Sequence, residues 1–192
     1  MVILHPTPTR ADAKKSYKSI LQAAHMLLDQ YGAKINLDEI VQHSSVSRAT
    51  FFRHFSNREQ LMLALTQDVF FHIMQDAGKL QNHHDAFLRL LDLMIEQTIK
   101  NMFIFEYWWS MAEHQRMRNA ILQFIDQLFK DVLVQAKSKQ QCRADLTTYD
   151  IFLFGRMLIG SALNDDPEQR QHSIRRAAEL LKTGFLSAKI SD

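Results

Sequence analysis

The stretch NLDEIVQHSSVSRATFFRHFSNREQLMLAL, residues 36 to 65, decides the fold. Its apolar spacing predicts two short helices separated by a turn, followed by the start of a longer helix. Asn36 is placed to cap the first short helix, with Glu39 three residues later to complete a reciprocal capping box. Ser47 is placed to cap the second short helix, which we expect to end near His54.

The second short helix divides into a buried face and an outward face. At about 100° per residue, Phe51 and Phe55 share the inward face, so Ala49 and Arg53 lie nearly opposite them. The third helix begins after Ser56 in an S-x-x-E pattern, a second predicted capping box whose free N–H groups suit a phosphate. Two short helices with an outward cationic face are typical of a helix-turn-helix, which reads DNA through its second helix.

Several residues in and before this stretch follow one known pattern. The matches are Ala23, Ala24, Ile40, Val46, Ser47, Thr50, His54, Phe55, Glu59 and Leu61. They fit an AA pair followed by T-x-x-x-I-A, A-G-V-S-x-x-T-x-Y-x-H-F and K-E-x-L. As a set they resemble the N-terminal region of the tetracycline-repressor (TetR) family of bacterial transcription regulators. The resemblance covers about fifty residues and implies a DNA-binding regulator.

Three positions depart from that pattern. Val41 stands where a small alanine is usual, and Ser45 stands at the turn glycine. A left-handed Ser45 would cost on the order of 1 kcal/mol relative to glycine. Phe52 replaces a tyrosine that commonly touches a DNA phosphate in the family. Because Phe52 has no hydroxyl group, its ring is expected to stack on the backbone sugars or on a neighbouring side chain.

The predicted DNA-binding surface includes the second short helix and residues beside it. Arg48 and Arg53 are expected on base edges or phosphates, and Thr50, His54 and Arg58 on phosphates. Ala49 and Phe52 complete the docking face. Lys14 lies with other lysines in the first turns of helix one, either on a solvated face or in contact with phosphate.

Composition limits the fold to a helical one. The chain has 192 residues, 46% hydrophobic residues, five glycines and three prolines, and no segment alternates with a period of two. We therefore predict an all-α fold of about nine helices, an N-terminal three-helix DNA-binding domain followed by a C-terminal helical bundle. Residues 1 to 60 carry eight Lys/Arg against five Asp/Glu, so the small positive excess lies where DNA binding is predicted.

Breaks in the helical pattern suggest the domain organisation. Residues 1–56 are predicted to form the DNA-binding domain, 57–80 a connecting helix and 81–192 the ligand-binding and dimerisation domain. Residues 1–12 carry two prolines and are expected to form a mobile arm. The lone cysteine, Cys142, lies in a polar linker and is expected to be exposed. A lone cysteine and the lack of a secretory apolar core predict a cytoplasmic protein without a membrane segment.

The sixth predicted helix, NMFIFEYWWSMA at 101–112, is apolar nearly all round. Two interpretations stay open: it is the centre of the core, or it lines a ligand cavity in which Glu106, Tyr107 and His114 supply polar groups. On the second interpretation, a small, largely apolar or aromatic effector contacts Phe103, Glu106, Tyr107, Trp108, Met111 and Phe124.

The last two predicted helices carry stripes that mix large and small residues. The candidate dimer contacts are Gly155, Ala162, Ile174, Ala177, Leu181 and Gly184. Two such helices from each of two chains would form a four-helix bundle. The family resemblance implies the same dimer. A two-fold axis would place two recognition helices about 34 to 36 Å apart, one turn of B-DNA.

These observations favour a homodimeric transcription regulator, most simply a ligand-responsive repressor on a palindromic operator. The rival is a protein of the same fold that binds dispersed DNA sites and a protein partner without an inducer. No C-x-x-C, H-x-x-x-H, P-loop, G-x-G-x-x-G or G-x-S-x-G pattern is present, so we expect no metal site, no cofactor and no enzyme.

Overall fold

The computed structural model describes residues 4–32, 35–110, 115–163 and 166–186, and these form nine α-helices and no strand. The predicted all-α fold of about nine helices is confirmed. The helices are α1 Ala11–Tyr31, α2 Leu37–His43, α3 Arg48–His54, α4 Arg58–Leu80, α5 Ala86–Lys100, α6 Met102–Ser110, α7 Gln115–Ser138, α8 Thr148–Gly160 and α9 Pro167–Lys182.

The helices gather into two compact units. The N-terminal unit consists of residues 2–71 and 101–112, in which α1 packs against α2, α3 and α6. The second unit consists of residues 72–100 and 113–192, in which α5 packs against α7, α8 and α9. The aromatic helix α6 thus belongs to the N-terminal unit. The three-part division at residues 56 and 80 stays a prediction.

The helix ends follow the capping chemistry that the sequence indicates. Thr147 and Asp150 form a reciprocal capping box at the start of α8, and Asp166 accepts two backbone hydrogen bonds ahead of Pro167 in α9. Gly32 ends α1 with φ 77°. Each cap satisfies N–H or C=O groups that a helix end otherwise leaves free, so the boundaries are set locally.

The cap of α4 differs from the predicted S-x-x-E box by one residue. Asn57 Oδ1 accepts from Gln60 N at 3.0 Å, and Gln60 Oε1 accepts from Ser56 N at 3.0 Å. Asn57 is therefore the capping residue, with Gln60 rather than Glu59 as its partner. Asparagine caps a helix as well as serine does, so the pattern alone did not decide between two adjacent candidates.

The core of the second unit is built from the apolar face predicted for α5. Phe87, Leu90 and Leu91 are fully buried, and the Phe87 and Phe129 rings meet edge to face at 6.3 Å. After α9 ends, the chain turns so that Phe185 packs on Phe154 with 5.1 Å between ring centroids. This contact directs the chain back onto α8 after α9 ends at Lys182.

The prediction of an exposed Cys142 is wrong. Its side chain is 3% exposed, and burial raises the pKa of its thiol. The linker around it folds back on neighbouring elements, with Arg143 N donating to Phe185 O and Gln141 N to Ala136 O. A polar linker can bury one small side chain while its backbone is satisfied locally, which composition does not reveal.

The turn between α2 and α3 passes through a left-handed residue. Ser45 has φ 55°, whereas Ser44 beside it has φ −79° and a side chain that donates to Val41 O. Ser45→Gly should therefore raise the free energy of unfolding by about 0.5–1 kcal/mol, because glycine adopts this conformation without strain. Chemical denaturation measures the change. Ser44→Gly is the matched control and should destabilise the protein; an unchanged Ser45→Gly variant would contradict the strain.

Candidate nucleic-acid interface

The two short helices are each fixed by a side chain at their start. Asn36 Oδ1 accepts from Asp38 N at 3.2 Å, and Ser47 Oγ accepts from Thr50 N at 3.2 Å. Within residues 35–110, the Glu39 side chain does not complete the reciprocal box predicted with Asn36. Between the helices, Ser44 O accepts a hydrogen bond of 2.6 Å from Ser19 of α1. The turn is thereby tied to the helix behind it.

Two buried phenylalanines brace α3 from behind, as the spacing predicts. Phe51 and Phe55 are both 0% exposed, and their ring centroids lie 6.0 Å apart. Tyr17 of α1 adds a third ring at 5.2 Å from Phe55. Burial, together with a smaller contribution from the negative charge of Asp68, raises the pKa of Tyr17 to about 12. A seven-residue helix is too short to be stable alone, so this packing holds α3 in place.

The opposite face of α3 is open to solvent. Arg48, Ala49 and Arg53 are exposed, and Thr50 is half-buried. Ala49 and Arg53 both lie on the protein surface, as the predicted docking face requires. An interior position for them would have ruled it out. The exposed face therefore presents two arginines beside a small residue, which lets a helix approach base edges closely.

Arg48 and Phe52 contact each other and a residue of α2. The Arg48 guanidinium lies 4.9 Å from the centroid of the Phe52 ring, and its Nη1 pairs with Asp38 Oδ1. Phe52 is half-buried and packs edge to face on Phe51 at 5.3 Å. The expected contact of Phe52 with a neighbouring side chain is present, and stacking on the backbone sugars stays a prediction. No local pattern marks Asp38, ten residues before Arg48, as the partner of this arginine.

The ring of His54 faces α1. Its Nε2 lies 2.8 Å from Ser16 Oγ, and it meets Tyr17 edge to face at 5.8 Å. Burial lowers the pKa of His54, and the positive charge of Arg53 lowers it further. The lowered pKa favours the neutral imidazole, which is already bonded to Ser16, so the ring braces α3. A phosphate contact by His54 would require this bond to break, and stays a prediction.

The N-terminal arm is anchored at Leu4 and His5, contrary to the expected mobile segment. Leu4 N and His5 N both donate to Gln67 Oε1 of α4, at 2.6 and 3.0 Å. The His5 ring packs 5.2 Å from Phe55, and burial is the main cause of its lowered pKa. Leu4 and His5 are both under 9% exposed. The arm therefore belongs to the packing that supports α3.

Gln67→Met should detach this arm. The substitution keeps the shape and removes the acceptor of two N–H groups, which costs about 1–2 kcal/mol. Urea denaturation followed by tryptophan fluorescence measures it, because both tryptophans of the chain, Trp108 and Trp109, lie in the N-terminal unit. Gln42→Met, at an exposed position of α2, is the control. Equal stability of the two variants would contradict the anchor.

Lys14 and Arg58, two further predicted phosphate contacts, lie near the N-terminal ends of α1 and α4. Lys14 is exposed in the first turn of α1. Arg58 is half-buried, and its Nη2 donates to Ile35 O, so part of its guanidinium holds the loop before α2. Their roles toward DNA stay predictions.

The predicted ligand-binding residues fall in two units. Phe103, Tyr107 and Trp108 are buried in the N-terminal unit and Glu106 is half-buried there, whereas Phe124 is buried in the second unit. Trp108 Nε1 donates to Thr66 Oγ1 at 3.0 Å. Met111 and His114 lie outside the described residues. The ligand cavity stays a prediction.

The predicted dimer residues divide by exposure. Ala162 and Ile174 are 0% exposed, so they pack in the chain's own core and present no surface to a partner. Gly155, Ala177 and Leu181 are half-buried, and Gly184 is exposed. The large exposed apolar residues on or beside α8 and α9 are Tyr149, Met157, Leu180 and Leu186. Tyr149 also lines a groove with Leu122, Gln123, Asp126, Gln127 and Thr148.

The described ranges contain neither a helix that could span a membrane nor a cluster that could hold a metal ion. None of the described helices has the length and apolar character needed to cross a membrane. Among those same residues, no three His, Cys, Asp or Glu side chains come together in a way that could hold a metal ion.

Comparison with known sequences agrees with the geometry of α1 to α4. Residues 20–65 match the family described as bacterial regulatory proteins, tetR family. An 84-residue segment is 31% identical to the HTH-type transcriptional regulator YvdT of Bacillus subtilis strain 168, spanning 43% of this chain and 43% of that protein. The chain thus aligns with less than half the length of this curated relative. The TetR resemblance is confirmed, and the proteins matched are regulators and not enzymes.

Solved structures share the fold over most of the chain. NalD of Pseudomonas aeruginosa, described as the secondary repressor of the MexAB-OprM multidrug efflux pump, is 20% identical with a TM-score of 0.61, covering 93% of this chain and 99% of NalD. A regulatory protein TetR from Rhodobacter sphaeroides is 14% identical with a TM-score of 0.67, covering 89% and 99%. At these identities the likeness establishes the fold.

Proposed function

We propose that this chain, whose residues 20–65 place it in the tetR family of bacterial regulatory proteins, is a ligand-responsive transcriptional repressor that binds a palindromic operator as a homodimer. The observation that carries the proposal is the exposed face of α3, where Arg48, Ala49 and Arg53 face solvent while Phe51 and Phe55 hold the helix from behind. We place its action in the cytoplasm, where the operator lies.

The chemistry of this face suits the major groove of duplex DNA. The groove admits one helix, and arginine donates to the O6 and N7 acceptors of guanine or to a phosphate. The positive excess of residues 1 to 60 has the sign needed to neutralise phosphates. Binding should therefore weaken linearly on a plot of log affinity against log salt concentration. Lys14, Thr50 and Arg58 are the proposed phosphate contacts.

A homodimer would present two copies of α3 to one operator. Its proposed surface, here called the α8–α9 apolar face, comprises Tyr149, Leu153, Met157, Gly160, Ala177, Leu180, Leu181 and Gly184. Within α8 its members recur at i, i+4, i+8 and i+11, which is one side of a helix. A methyl group added at Gly160 would meet no atom within 4 Å among the described residues outside its own stretch of α8. Such space lets a second backbone approach closely, as in a four-helix bundle.

The effector is proposed to be a small, largely apolar or aromatic molecule. The support is α6, which is apolar nearly all round and carries Phe103, Tyr107 and Trp108 together with the partly exposed Glu106. To release DNA, the effector must bind one spacing of the two DNA-binding units more tightly than the other. NalD, which shares the fold, is described as a repressor of an efflux pump; repression is proposed here by analogy.

Selection of bound fragments from a genomic DNA pool, followed by footprinting, tests the proposal. One or two palindromic sites near a promoter, released on adding a fractionated metabolite extract, are expected. Many dispersed sites would favour the rival without an inducer. Specific binding that no small molecule alters would contradict the effector, and salt-insensitive or undetectable binding would contradict the DNA-binding function itself.

A further inference from the structure

One exposed arginine of α3 is held in place by two neighbours. Arg48 pairs through Nη1 with Asp38 Oδ1, and its guanidinium lies over the Phe52 ring at 4.9 Å. Both supports are themselves fixed. Asp38 follows the Asn36 cap, which holds the Asp38 backbone N–H at 3.2 Å, and Phe52 packs on the fully buried Phe51 at 5.3 Å.

The two arginines on this face therefore differ. Among the described residues, Arg53 has no hydrogen bond or ion pair and is exposed, so it lacks the two supports that hold Arg48. Arg48 keeps 63% side-chain exposure although it is held at two points. An exposed ion pair contributes little to stability, so the pairing with Asp38 is better understood through the orientation it gives Arg48. An arginine oriented before binding loses less conformational freedom when it forms a paired contact.

The Asp38 carboxylate also determines which group of the DNA Arg48 can bind. A phosphate approaching Arg48 would meet the negative charge of Asp38 next to it, which disfavours a backbone contact. A guanine edge is uncharged and offers two acceptors, O6 and N7. Asp38 occupies Nη1, and no described residue bonds to Nε or Nη2 of Arg48. Those two donors form one edge of a planar fork that matches guanine.

We propose that Arg48 reads one guanine in each operator half-site through its Nε and Nη2 groups, with Asp38 and Phe52 as positioning residues that fix its guanidinium. This inference rests on the proposed function and specifies the base that the site recognises. It also gives Phe52 a role in place of the phosphate contact that a tyrosine hydroxyl would make. Arg53 contributes to affinity but does not determine which base is recognised at this position.

Selection from a randomised duplex pool, at fixed salt concentration, tests the assignment. The unchanged protein should enrich one guanine per half-site, and Arg48→Ala should lose the preference at that position alone, by roughly 5- to 150-fold in relative affinity. Arg53→Ala should retain it. Asp38→Asn and Phe52→Leu should each reduce the guanine preference several-fold. Asp38→Asn should also strengthen non-specific binding, because it removes the negative charge beside Arg48.

Replacing that guanine by 7-deazaguanine tests the contact with the protein intact. Loss of N7 should weaken binding by the unchanged protein about tenfold or more and leave Arg48→Ala unaffected, so that the two changes are not additive. An Arg48→Ala protein that selects the same operator, or an unchanged protein indifferent to 7-deazaguanine, overturns the guanine assignment alone. If the unchanged protein enriches no sequence, the proposed function fails instead.

Discussion

Leu180→Glu should leave the second unit folded and abolish dimerisation. Leu180 is 60% exposed, so a carboxylate there meets water in the free chain and costs little stability. In the proposed dimer the same carboxylate would be buried against an apolar partner surface, which costs several kcal/mol. With one recognition helix per molecule, operator affinity should fall by roughly 100-fold or more, because the second half-site no longer binds at high effective concentration. Sedimentation velocity and gel-shift titration measure the two effects.

Val134→Glu is the matched control for this prediction. Val134 is 66% exposed on α7 in the same unit, and it lies outside the α8–α9 apolar face. The same charge introduced there should alter neither the oligomeric state nor operator affinity. Met157→Glu, at a residue of α8 that is 46% exposed, should reproduce the Leu180→Glu result. A Leu180→Glu protein that stays dimeric would place the dimer surface elsewhere.

The parts of the site that sequence predicted well are those set by local chemistry. Caps at Asn36 and Ser47, the paired Phe51 and Phe55 and the strained Ser45 each follow from a few adjacent residues. Periodicity and capping preferences act over one or two turns, so a helix-turn-helix can be predicted almost residue by residue. The all-α fold class could be predicted for the same reason.

The features that sequence missed depend on contacts between distant residues. The arm at Leu4 is held by Gln67, 63 positions later, and Cys142 is buried by a turn of the chain near Phe185. Asp38 reaches Arg48 across the turn between two helices. Nothing in the local pattern marks a glutamine as an anchor or an aspartate as a positioning residue, because both are also common on solvated helix faces.

Two of the six predicted dimer residues are buried within the chain, because periodicity alone does not identify the partner of an apolar face. Helix α8 is apolar on two sides, and one of them, which includes Leu158, packs in the chain's own core. Ala162 and Ile174 lie on such inward sides, whereas Met157 and Leu180 do not. Only packing within the chain shows which apolar side is left exposed, and that side is where a second copy could bind.

Phe51→Ala should have the largest effect on stability. Phe51 is fully buried, contacts Phe55 and Phe52, and connects the support of α3 to the ring that carries Arg48. Removing a buried phenylalanine ring costs about 3–5 kcal/mol through lost burial and the cavity left behind. Urea denaturation followed by tryptophan fluorescence should show this loss in the N-terminal unit, where Trp108 and Trp109 lie.

Phe51→Ala should also distinguish the packing that supports α3 from the residues that contact DNA. At temperatures where Phe51→Ala remains folded, its non-specific affinity should stay measurable, whereas sequence preference should fall because Arg48 and Phe52 lose their support. Tyr31→Ala is the control: this ring is 61% exposed in the same unit, so its removal should change stability by no more than about 0.5 kcal/mol. Equal stability of the two variants would mean that the Phe51 ring does not hold α3. The exposed face of α3 would then not be fixed by the packing of this ring.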